Sequence, residues 1–144
     1  MDVSELRKRI LRALDDARKD AASRRTVVDD AAKAYGTFLE TTAVPLLRQA
    51  ASVLNAAGHA FIVHTPAESV RLAAEQSPQT FLEIGLDVSG AEPTIVGRIS
   101  LARGRQGVMI EERPIAPNRP VAAVTEDDLS AFLVAEVPKL VLKT

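Results

Sequence analysis

Residues 15–35 read DDARKDAASRRTVVDDAAKAY, a stretch with no glycine, no proline and almost no large apolar side chain. Whether the chain runs straight through it or turns back inside it decides the fold. Outward from this stretch, apolar or small positions recur at Leu6, Ile10, Leu14, Ala17 and Ala21. They resume at Val28, Ala32, Tyr35, Leu39, Ala43, Leu46, Ala50, Val53 or Leu54, and Ala57. The mean step is about 3.6 residues, the helical period. Its phase survives Gly36 and Pro45 and is interrupted in kind only at Arg24 and Arg25, and Gly58 supplies a stop. The helical region is therefore 3–57.

Two structures fit this stripe. One is a single long helix bent near Pro45, where the ring and the missing N–H disturb the preceding turn. The other is a helical hairpin that breaks near Ser23–Thr26, with Thr26 capping a second helix and Asp29 and Asp30 in its first turn. No residue in 20–26 prefers a reversing turn, which favours continuity. A continuous helix of forty-odd residues would be about 60 Å long, whereas a compact domain of this size is about 30–40 Å across. Part of the helix would then project with its apolar stripe wet. The economical cover is a second copy of the chain, gripped through Leu6, Ile10, Leu14, Ala17, Ala21 and Val28. A homo-oligomer, most simply a dimer, is expected on that reading; a hairpin would let the two arms bury each other.

After Gly58 the period changes to alternation, which defines a sheet region 59–115. HAFIVHT (59–65) is apolar on both faces and reads as a buried strand. ESVRLAAE (68–75) aligns Val70, Leu72 and Ala74; TFLEIGLDV (80–88) aligns Leu82, Ile84, Leu86 and Val88. TIVGRISLA (94–102) puts Ile95, Gly97, Ile99 and Leu101 on one face, and GVMIEER (107–113) puts Val108 and Ile110 there. If Leu101 faces Val108 across the last hairpin, Ile99 faces Ile110 and Arg98 faces Glu111. A proline-rich connector (114–123) precedes a terminal helix (125–141) capped by Thr125 and Asp128, which Pro138 should kink or end. The fold expected is α+β in a single domain, 1–144: a long helical segment, a five-stranded antiparallel meander and a C-terminal helix packed on the sheet.

Chemistry is sparse. His59 and His64, the only histidines, lie five residues apart in one predicted strand and point to opposite faces, so they make no joint metal site. The doublets Asp15-Asp16, Asp29-Asp30, Glu111-Glu112 and Asp127-Asp128 diverge by about 100° on a helix or 180° on a strand, and suit wet faces and caps. Gly104-Arg105-Gln106-Gly107 matches in letters the GXXG loop of KH domains, but that loop joins two helices and this one joins two strands. The outward sheet face is expected to carry Arg71, Glu83, Asp87, Arg98, Glu111 and Arg113. Cross-strand pairing accounts for them, and a polar ligand is the sharper alternative. No catalytic residue, cofactor ligand or metal ligand is nominated.

Composition sets the outer bounds. The formal charge of −1, from 18 basic and 19 acidic residues, provides no global pull toward nucleic acid. Basic residues from Arg7 to Arg25 alternate with acidic ones, as on a helix laced with i,i+4 pairs. Cysteine is absent, the N-terminus lacks an apolar signal core, and no apolar run approaches 18 residues, so a cytoplasmic setting off the membrane is expected. The leading functional reading is a non-enzymatic oligomeric interaction or assembly module, which leaves room for a protein partner. The alternative is a small-ligand carrier or sensor with a pocket between sheet and helices, where His64 is the nearest candidate for a buried polar contact. Nucleic-acid binding through the N-terminal helix ranks third.

Overall fold

The computed structural model describes residues 2–142. The chain does not reverse at Ser23–Thr26. Helix α1 (Val3–Phe38), a π turn (Leu39–Ala43) and helix α2 (Val44–Ala56) follow one another without a break, a rod of about 80 Å at 1.5 Å per residue. Thr26, which a hairpin would need as a cap, instead donates its hydroxyl to the carbonyl of Ala22, 3.1 Å away, inside the continuous helix.

Pro45 is accommodated by widening the helix just before it. The Val44 N–H bonds to the Leu39 carbonyl, five residues back, so the ladder takes in one extra residue ahead of the proline that cannot donate. The extra residue moves the buried face. Inward side chains step from Tyr35 and Phe38 across the π turn to Ala43, Leu47, Ala51 and Leu54. Leu39, Leu46 and Ala50, which a uniform 3.6-residue step selects, are only half-buried. The rod ends in a Schellman cap: Gly58 has φ +91°, His59 N–H reaches the Leu54 carbonyl at 2.8 Å and Gly58 N–H that of Asn55 at 3.1 Å. The Asn55 side chain then pairs with both the N–H and the C=O of Phe61, at 2.9 and 3.1 Å, and so starts the sheet.

Strands β1 (Phe61–His64), β2 (Val70–Ala74), β3 (Ser77–Asp87), β4 (Thr94–Ala102) and β5 (Val108–Pro114) form an antiparallel meander in chain order. β1 is an edge strand rather than a doubly buried one: Phe61 is buried, while Ile62 and His64 are exposed. The β4–β5 hairpin closes one residue away from the expected register. Its loop contains a 3₁₀ turn at Gly104–Gln106, and a bond from Arg103 N–H to the Gly107 carbonyl at 2.7 Å shuts it. Ala102 therefore meets Val108, Leu101 meets Met109, Ile99 meets Glu111 and Arg98 meets Glu112. A slip of one residue exchanges the faces of a strand, so Val108 and Ile110 lie on the outer face and Glu111 and Arg113 on the helix side.

Helix α3 (Glu126–Val141) starts at a reciprocal capping box between Thr125 and Asp128. It continues past Pro138, where the forfeited bond lies on the exposed side marked by Val134 and Pro138. Gly97 lets this helix approach: a Cβ there would fall inside the Phe132 ring and press on Ile115. Leu47, Leu72, Leu82, Ile84, Ile95, Ile99 and Leu129, each no more than 1% exposed, fill the layer between helices and sheet.

Candidate functional site

The feature that sets this molecule apart begins where the rod leaves the domain. Tyr35 anchors it from inside: the buried phenol donates to the Glu68 carbonyl at 2.5 Å, at a loop residue with φ +61°, and approaches the Ile84 carbonyl at 3.4 Å. Burial above all, with the nearby Glu83 and Glu68 carboxylates, pushes this phenol up to about 12. Three turns earlier Arg24 makes a second anchor. Its guanidinium donates to three carbonyls of the β3–β4 turn, Gly90 at 2.8 Å, Val88 at 3.1 Å and Ala91 at 3.3 Å. A planar fork of five donors suits such a cluster of carbonyls.

From Asp2 to Val27 every residue is exposed. Beyond Arg24 the helix is an arm about 30 Å long, started by the Asp2 side chain, which accepts from Ser4 N–H at 3.3 Å. Glu5–Arg9 and Asp15–Lys19 pair along it at 3.6 and 3.1 Å, contacts worth a few tenths of a kcal/mol each. On this arm Leu6, Ile10, Leu11 and Leu14 stand 47–54% exposed, and Val3 81%. Of the residues that the sequence nominates for self-association, Leu6, Ile10, Leu14, Ala17 and Ala21 sit on the bare arm, whereas Val28 is half-buried where the arm meets its own domain. The sequence nominates neither Val3 nor Leu11 for this surface, and it marks Arg24 only as an interruption of the stripe and a member of the basic run, not as an anchor on the β3–β4 turn. Leu11 flanks the stripe beside Ile10 and three residues before Leu14, a signal that was there to be used; Arg24 has its partners more than sixty residues away.

The outer sheet face is divided between charge and carbon. Arg71, Glu83, Arg98 and Glu112 form a row of alternating sign across β2 to β5. Arg71 Nε lies 2.9 Å from Glu83 Oε2, with its guanidinium 4.0 Å above the Phe81 ring, and Arg98 Nη2 lies 3.4 Å from Glu112 Oε2. Asp87 accepts from the Ser89 hydroxyl at 2.6 Å and its N–H at 2.9 Å. Those bonds, the hydroxyl's first, hold its carboxyl below the ordinary value. Glu68, Glu83, Asp87, Arg98 and Glu112 border an open depression of about 490 Å³. The arginines of this row are already matched to carboxylates, as cross-strand pairing requires.

Glu111 and Arg113, expected on this face, are on the other. There Arg113 bridges Glu111 at 2.9 Å and Glu136 of α3 at 2.8 Å. Glu136 is 3% exposed, and the Lys139 ammonium lies 2.8 Å from its second oxygen, at ion-pair distance without hydrogen-bond alignment. These charges pin α3 to the edge strand. His59 and His64 are both exposed, so His64 is not a buried polar contact. Among the described residues no group of three or more His, Asp or Glu is placed to hold a metal ion, and no helix is long and apolar enough to cross a membrane. Searches of protein-family models, curated proteins and solved structures find no significant match to the chain.

Proposed function

We propose that the chain is a non-enzymatic oligomeric interaction or assembly module, in which a sheet domain carries a projecting helical arm that binds another copy. The single observation that carries this reading is the arm itself, whose apolar stripe touches nothing in its own domain beyond Arg24. Leaving half of each of four large aliphatic side chains in water is unfavourable at roughly 25 cal/mol per Å², and a helix in a protein draws most of its stability from packing its apolar face, which the arm lacks within its own domain. A partner corrects both. A carrier role draws less support, because large aliphatic side chains fill the layer between sheet and helices. The cytoplasmic setting expected from the sequence belongs to the same proposal.

Sedimentation equilibrium tests it. The native chain should associate reversibly, and Ile10→Asp with Leu14→Asp should make it monomeric while the thermal transition of the sheet domain is retained. A native chain that stays monomeric across the micromolar to millimolar range would remove the proposal.

A further inference from the structure

Resting on that reading, we infer that two copies pair arm to arm in antiparallel orientation, about a two-fold axis near residue 12. The argument starts from phase. Ile10, Leu14, Ala17, Ala21, Arg24, Val28, Ala31, Tyr35 and Phe38 follow one another at alternating steps of four and three, the spacing of a helix seam that faces another element throughout its length. From Ala31 onward this seam packs into the chain's own core, and Val28 before it is half-buried. From Ala21 outward it is bare. The bare part therefore looks to the same side of the rod as the domain does, and a partner helix must lie on that side.

A partner laid parallel would follow the seam into space that its host already fills, beginning at Arg24 and the β3–β4 turn that Arg24 holds. It would also set Arg7 against the partner's Arg7 in the seam. Antiparallel pairing runs the partner the other way and carries the second domain off beyond the far end of the arm. With the axis near residue 12, Ile10 meets the partner's Leu14, Val3 meets the partner's Ala21, and Leu11 meets the partner's Leu11 beside the axis. Arg7 meets the partner's Ala17, whose small side chain leaves room for the arginine stem to lie flat and lift its charge to water.

Overlap along the whole arm buries on the order of 1,000 Å² in total, at the low end for specific association, which fits a reversible pair.

The chain has no cysteine, so single-cysteine variants report position without background. Under mild oxidation Leu11→Cys should give a covalent dimer and Val3→Cys should not, since antiparallel arms hold the two copies of residue 3 about 27 Å apart. Val3→Cys mixed with Ala21→Cys should cross-link. Val3→Cys cross-linking as readily as Leu11→Cys would overturn the orientation. A native dimer by sedimentation in which neither Leu11→Cys nor the Val3→Cys/Ala21→Cys mixture cross-links would overturn the register while leaving the assembly reading intact; a native monomer would overturn both.

Discussion

Tyr35 is the only tyrosine in a chain without tryptophan, so its ultraviolet absorption reads one site alone. Its hydroxyl joins the rod to the β1–β2 loop through the Glu68 carbonyl. The folded chain keeps this phenol protonated to about 12, whereas its ordinary value is 10.0. The stability it supplies is therefore complete below pH 10 and is lost as pH rises from there toward 12. A spectrophotometric titration should show ionisation delayed in the folded protein. Tyr35→Phe should cost about 1 kcal/mol at neutral pH and lose stability less steeply than the native chain above pH 10, both read from urea midpoints. Aromatic, solitary and in phase with the stripe, Tyr35 was legible as an inward residue; its carbonyl partner was not, because Glu68 lies in a loop with no periodic signal. Glu136 was harder still. An acidic residue on a helix reads as solvated, and the displaced register of β5, which turns Arg113 inward, adds to Lys139 on the same helix the second cation that lets it be buried.

Among the elements, α3 depends most openly on its first turn. Asp128 accepts from Thr125 N–H at 2.9 Å, from the Thr125 hydroxyl at 3.0 Å and from Arg119 at 2.6 Å, and the backbone bond leads in holding its carboxyl below 3.8. Because the folded value is depressed, this contribution is present above the ordinary carboxylate range and is lost as pH falls through the folded value. Thr125→Ala should lower stability by about 1 kcal/mol. Asp128→Asn should be less stable than the native chain at pH 7, with a smaller further loss on going to pH 3; chemical denaturation at the two pH values checks both. Element order, sheet topology and this cap follow from local pattern alone. The β4–β5 register does not, since Val108 and Ile110 are apolar but so is Met109, and the choice falls to a loop whose closure at Gly107 leaves no mark in the alternation. The rod was legible because turn residues are missing from 20–26. What hid the offset of its buried face was the proline, which reads as a bend and is absorbed as an inserted residue.

At the scale of the whole molecule, the sheet domain keeps its own core and the arm borrows its order from whatever lies beside it. Serial dilution should therefore reduce helical ellipticity at 222 nm as arms separate and fray from Asp2 inward, while the cooperative unfolding of the domain persists. Circular dichroism over the range in which sedimentation detects dissociation would reveal the coupling, and ellipticity that ignores concentration would refute it. The arm was foreseeable because length and phase together demand that something project; its orientation needed the placement of the domain along the same seam. The π turn at Leu39–Ala43 acquires a further meaning here. It fixes the azimuth at which the arm leaves α2, as a keyway fixes a shaft. Deleting one residue there would restore ordinary helix and rotate everything upstream by about 100°, and in a two-fold assembly the angle between the two domains would change by twice that turn. Five residues far from the contact would thus govern the geometry of the whole pair.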